Sequence, residues 1–138
     1  MIEFLTDNGF LPDHQENLSI WIQKIIEREG KTQGDISYVF CNDDYLLKIN
    51  QDFLQHDTYT DIISFDYSLG DQVHGEIYIS TERVKENAKA LGLEFKDELH
   101  RVMIHGILHY CGYSDRSNTD KKRMRDRETE ALHMRTWD

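Results

Sequence analysis

Apolar positions recur along this chain with two different periods, and the switches between them mark out its elements. Residues 2–5 (IEFL) form a short strand-like run. Between 13 and 29, Leu18, Trp21, Ile22, Ile25 and Ile26 fall on one helical stripe, which Gly30 ends. Residues 35–40 (DISYVF) alternate as a strand does. Asn42 is placed to cap a helix over 43–53, with Asp43 and Asp44 in its first turn and Leu46, Ile49 and Phe53 on one face. Residues 61–66 (DIISFD) and 75–79 (GEIYI) are rich in β-formers and read as two further strands. Ser80 then caps a helix striped by Val84, Ala88 and Leu91 and stopped by Gly92. Another helix covers about 95–111, with Gly112 as its C-cap, and a last one, about 119–134, carries Met124, Ala131 and Leu132.

This order of elements predicts an α/β (α+β-like) fold, a small mixed four-stranded sheet with helices packed on it. The 138 residues contain one proline, Pro12, and eight dispersed glycines, with no repeat, linker or shift in composition. A single domain over residues 1–138 is therefore expected. At 38% apolar residues the chain can bury a core, which excludes a wholly disordered protein. Its formal net charge of −10 gives no general attraction to phosphate backbones, so any nucleic-acid partner must be held by a local basic patch or a metal. Two cysteines, Cys41 and Cys111, are too few for a disulfide framework and suit a reducing compartment. The first residues lack the basic and apolar regions of a signal peptide, and no run approaches a membrane span. A cytoplasmic protein with no membrane partner is the expectation.

The chemistry concentrates in residues 105–115, His-Gly-Ile-Leu-His-Tyr-Cys-Gly-Tyr-Ser-Asp. Two histidines four apart on a helix project from one face, with Cβ atoms about 6 Å apart, close enough for both imidazoles to reach one metal. Gly112 lets the chain reverse, and Asp115 can swing back to add a carboxylate oxygen. Three protein ligands, His105, His109 and Asp115, with one open position make the donor set of a catalytic zinc, at a helix C-terminus and the turn after it. Another divalent metal is also compatible with such ligands. A histidine pair on an ordinary helix can equally be structural, but here it lies in an apolar run (Val102, Met103, Ile104, Ile107, Leu108), where a neutral imidazole needs a partner to offset its desolvation. Zinc peptidases with a related motif place a glutamate base directly after the first histidine; Gly106 stands there, which counts against peptidase chemistry and suggests close packing of another element on the helix.

The same segment resembles the signature of the YbeY family of bacterial rRNA maturation factors, His-Gly-x-Leu-His-x-x-Gly-Tyr-Asp-His, at His105, Gly106, Leu108, His109, Gly112 and Tyr113. A second family block, Thr-Asp-Val-Leu-Ser-Phe, is matched by residues Thr60 to Phe65, and Asn50, Phe53 and the Gly75-Glu76-Ile77 strand are also similar. The resemblance covers roughly residues 35 to 134 and implies a metal-dependent, single-strand-specific endoribonuclease. It implies action in 16S rRNA 3′-end maturation and ribosome quality control, with rRNA and the ribosome or its small subunit as partners. Three departures stand out. The family's third metal-binding histidine falls at Asp115, its arginine at Leu54, and its proline before the Thr-Asp block at Tyr59. Lys48, His56 or Arg116 are candidates to replace the arginine, and Asp61 or Glu128 to orient a water. The cluster Lys121, Lys122, Arg123, Arg125 and Arg127 can contact phosphates or, interleaved with acids, form a solvated ion-paired face. Three other readings stay open: a different zinc hydrolase such as a metallopeptidase, a non-haem iron enzyme using two histidines and a carboxylate, and a ribosome-associated factor in which the metal only braces the fold.

Overall fold

A computed structural model describes residues 1–54 and 59–137. In chain order the elements are β1 (Ile2–Thr6), α1 (Gln15–Arg28), β2 (Thr32–Cys41), α2 (Asp43–Leu54), β3 (Ile62–Asp66), β4 (Gln72–Ser80), α3 (Thr81–Leu91), α4 (Phe95–Tyr110) and α5 (Asn118–His133). The four strands form one mixed sheet in the order β1-β2-β4-β3, with β1, β2 and β4 parallel and β3 antiparallel to β4. The α/β architecture expected from the two periods is the one observed.

Alternation sorts the strand side chains into two layers. Ile36, Tyr38 and Phe40 of β2 and Ile77 and Ile79 of β4 join the main core with the α1 stripe and the apolar run of α4. Their neighbours Cys41, Ile63, Phe65 and Tyr78 belong to a smaller core that Leu46 and Ile49 of α2 complete. Helices therefore cover both faces, and α4 lies against β3 and β4. Gly106 makes that approach possible. A Cβ there would stand 3.1 Å from Ile77 Cδ1 and 3.2 Å from Ile62 Cδ1, so its missing side chain lets the ligand-bearing helix sit down on the sheet.

Boundaries differ from the sequence reading in ways that have local causes. The first helix begins at Gln15 and not at 13, because His14 takes a left-handed conformation (φ 59°). β2 and β4 run longer than their apolar runs because parallel pairing of Thr32 with Gln72 and Gln33 with Val73 extends the ladder through polar residues. Asn42 accepts the first backbone bond of α2 through its carbonyl, but its side-chain oxygen is taken by the Asn8 amide. Phe53 and Leu91, expected on buried stripes, are 70% and 54% exposed. Each lies in the last turn of its helix, where the apolar stripe outlasts the buried face.

Candidate metal centre

The end of α4 is built to turn the chain back on itself. Gly112 adopts φ 102°, its N–H donates to the His109 carbonyl, and the Tyr113 N–H donates to Leu108. This is a Schellman stop, in which only glycine takes the left-handed position cheaply. It returns Tyr113 to the helix, and the Tyr113 carbonyl accepts a hydrogen bond from His109 Nδ1 at 2.9 Å. The Tyr113 hydroxyl in turn donates to Glu29 at 2.6 Å, tying the turn to the end of α1. Asp115 follows on this reversed segment, and its Oδ2 comes within 3.4 Å of His109 Nε2 and 3.6 Å of His105 Nε2.

His105 is held from the other side. Its Nδ1 lies 2.6 Å from Glu128 Oε2 of α5, and Glu128 Oε1 accepts from Arg101 at 3.0 Å. Arg101 also donates to the Thr129 hydroxyl. Glu128 is 5% exposed, so this carboxylate is committed to positioning His105. Burial pulls the His105 pKa down, but the hydrogen bond and charge of Glu128 outweigh it, with Asp115 and Asp61 adding to them, and the net direction is upward.

Both imidazoles thus spend Nδ1 as a donor to an oxygen, which leaves each neutral ring with a lone pair on Nε2. Those two nitrogens face each other at 2.9 Å, with the rings edge to face. Two acceptors and a carboxylate oxygen converging in this way call for positive charge between them, a proton or a metal ion. Zinc–ligand bonds of roughly 2.0–2.1 Å at tetrahedral angles put donor atoms about 3.3 Å apart; all three donors here lie within 4.8 Å of one another, and the two carboxylate distances are close to that spacing. The residues present therefore fit a divalent metal. All three sequence candidates, His105, His109 and Asp115, are brought together.

Beside this group a cleft of about 330 Å³ opens between α4, α5 and the start of β3. Asp61, Glu98, Arg101, Lys121 and Arg125 line it with His105, Asp115 and Glu128. Burial raises the Asp61 pKa, partly offset by backbone hydrogen bonds and by His105. Of the other sequence candidates, Lys48 and Arg116 are exposed and do not line the cleft, and His56 lies outside the described residues. Leu54 is 42% exposed at the end of α2. Tyr59 is half-exposed, with the Arg83 guanidinium 5.5 Å from its ring centroid. The basic cluster divides: Lys122 pairs with Asp126 and Arg127 with Glu130, as a solvated face does, whereas Lys121 and Arg125 turn toward the cleft. Cys41 and Cys111 are free thiols, pushed up to about 12 and about 11 by burial first and by neighbouring acids, so neither is a ready thiolate ligand or nucleophile. Sequence reasoning missed Glu98, Arg101 and the Tyr113 carbonyl. The spacing of 98, 101 and 105 along one helix face was the available signal for the first two.

Comparison with known proteins follows the same lines. A family profile described as "Endoribonuclease YbeY" matches residues 6–135. An "Endoribonuclease YbeY" of Flavobacterium psychrophilum is 52% identical over 134 residues, covering 97% of this chain and 96% of its own length. Another, from Porphyromonas gingivalis, is 55% identical over 134 residues, covering 96% and 89%. Among solved structures, the solution structure of TM1509 from Thermotoga maritima superposes with a TM-score of 0.69 at 28% identity, covering 96% of this chain and 87% of that one. With a paired-histidine turn, a mixed four-stranded sheet and relatives matched over nearly their whole length, this chain belongs to the YbeY endoribonuclease family.

Proposed function

We propose that this protein is a zinc-dependent endoribonuclease that cleaves single-stranded RNA, with His105, His109 and Asp115 as its metal ligands. The observation that carries this reading is the convergence of two Nε2 lone pairs and one carboxylate oxygen at the mouth of a charged cleft, in a chain of an endoribonuclease family. Family membership further supports cytoplasmic action in 16S rRNA 3′-end maturation and ribosome quality control, with the small ribosomal subunit as partner.

Bound zinc would supply Lewis acidity toward a phosphate oxygen and make a water more acidic. The protein's own groups do the rest. Glu128 and the Tyr113 carbonyl fix the orientation and tautomer of the two imidazoles. Asp61, whose pKa is raised by burial, lines the cleft and would serve to take a proton from an attacking water. Lys121 and Arg125 line the cleft and would bring positive charge to a phosphate held there. Arg101 is engaged with Glu128 and acts by positioning.

The test is cleavage of a labelled single-stranded RNA by the purified chain, beside its duplex and a peptide panel, together with elemental analysis. Cleavage of the single strand with one zinc per chain, both lost in His109→Ala, is the expected outcome. Equal metal content in that variant, or equal cleavage in Asp115→Ala, would overturn the assignment.

A further inference from the structure

Glu98 occupies an unusual position for a carboxylate in the first turn of a helix. Such residues favour the positive helix end and ordinarily keep their oxygens in water. Glu98 is 6% exposed, and its Oε1 is buried without a hydrogen-bond partner. Burial first, then Asp61, raises its pKa, against the pull of Arg101 and Arg125. A desolvated acceptor with nothing to accept from is costly unless a ligand completes it.

The surroundings define that ligand. Glu98 lies seven residues before His105, two turns and about 10 Å along the same face of α4, and both line one cleft. Ile62, Val102 and Met124 supply apolar surface to a cleft otherwise lined by charged side chains, Arg101 and Arg125 among them. At about 330 Å³ it is at the small end of ligand pockets, suited to one flat ring system and not to a run of chain. A phosphate held at the metal donors would place its own base toward Glu98.

Resting on the endoribonuclease reading, we infer that this part of the cleft is a nucleobase subsite selective for guanine, with Glu98 accepting from the base's N1–H and N2 amino group. Guanine alone among the four bases presents two donors side by side on that edge, which matches the two oxygens of a carboxylate. Adenine and cytosine would set a ring acceptor against it, and uracil two carbonyls. The broad terminal torsion of a glutamate lets Oε1 swing from its buried position toward the guanine donors.

The experiment measures equilibrium binding of guanosine 5′-monophosphate and inosine 5′-monophosphate to the purified chain supplied with one equivalent of zinc. The two nucleotides share ring, sugar and phosphate and differ by the N2 amino group. The native chain is expected to prefer the guanosine nucleotide by about tenfold, and Glu98→Gln to shrink that ratio below about twofold while zinc content stays the same. Equal affinity for the two nucleotides in the native chain would overturn the inference, and this comparison needs no variant to fold. Retention of the full preference in a folded Glu98→Gln protein would overturn it as well. Guanine discrimination without any RNA cleavage would instead overturn the endoribonuclease reading and leave the base subsite standing.

Discussion

Replacing Glu128 by glutamine tests whether the imidazoles are held for a metal. The side chain keeps its size but loses its charge, and it cannot satisfy both neighbours. If its carbonyl oxygen faces His105 Nδ1, where Glu128 now stands at 2.6 Å, its NH2 group points at the Arg101 guanidinium, donor against donor. If the amide flips to serve Arg101, its NH2 faces His105 Nδ1, the imidazole must carry its proton on Nε2, and the lone pair aimed at the metal is lost. Either orientation forfeits one charge-assisted bond, each worth about 1.5–3 kcal/mol. Loss of such a partner typically weakens metal binding 10- to 100-fold, about 1.4–2.8 kcal/mol. Zinc affinity measured by competition with a chromophoric chelator should fall by that factor, with circular dichroism confirming the fold. An affinity within about twofold of the native value would refute the argument, because it would mean that His105 does not need Glu128 to present Nε2.

Gly75→Ala should destabilise the protein by about 2 kcal/mol or more, read as a lower midpoint in urea, because the added Cβ would collide with the Tyr110 hydroxyl and the backbone carbonyl of Phe65; an unchanged midpoint would contradict the packing of α4 on the sheet. His100 is lowered to about 4, by burial first and then by Arg135, whose guanidinium donates to its Nδ1; Lys96 and His14 add to this and Asp97 opposes it. Its folded pKa lies below its unfolded value of about 6.5, so the unfolded chain binds the extra proton. Stability from this group is complete above about pH 6.5 and is lost as pH falls toward 4, on the order of 3 kcal/mol, and His100→Gln should flatten urea-unfolding stability between pH 7 and 4.5. Chelation of the metal should abolish binding of a short single-stranded RNA in a fluorescence-anisotropy titration, and added zinc should restore it; binding that survives chelation would place the RNA elsewhere.

The elements were legible because the two hydrophobic periods are clean: the α1 stripe from Leu18 to Ile26 and the alternation of β2 both land in the core as read. The donors were legible because one turn of helix plus a glycine stop leaves few geometries for His105, His109 and Asp115. What lay beyond local pattern was hidden. Glu128 reaches His105 across 23 residues, and Tyr113 acts through a carbonyl, which side-chain identity does not report. Phe53 and Leu91 fit their stripes and are nonetheless exposed, since periodicity states which face is apolar and not how far the neighbouring layer extends.

The charges of the cleft connect its parts and resolve the tension between an acidic chain and an anionic substrate. Asp61, Glu98, Asp115 and Glu128 bring four carboxylates against the three cations Arg101, Lys121 and Arg125, so the fully ionised cleft carries one excess negative charge and repels a phosphate. A divalent cation on the His105, His109 and Asp115 donors reverses that sign. The chain as a whole, at a net −10, stays unfavourable to nucleic acid. On the proposed function, affinity for RNA would therefore be confined to the metal-loaded cleft. The buried Glu98 and the half-buried Asp61 would become tolerable next to a phosphate once a metal is bound, so metal loading, phosphate binding and the inferred base selection would form one linked equilibrium.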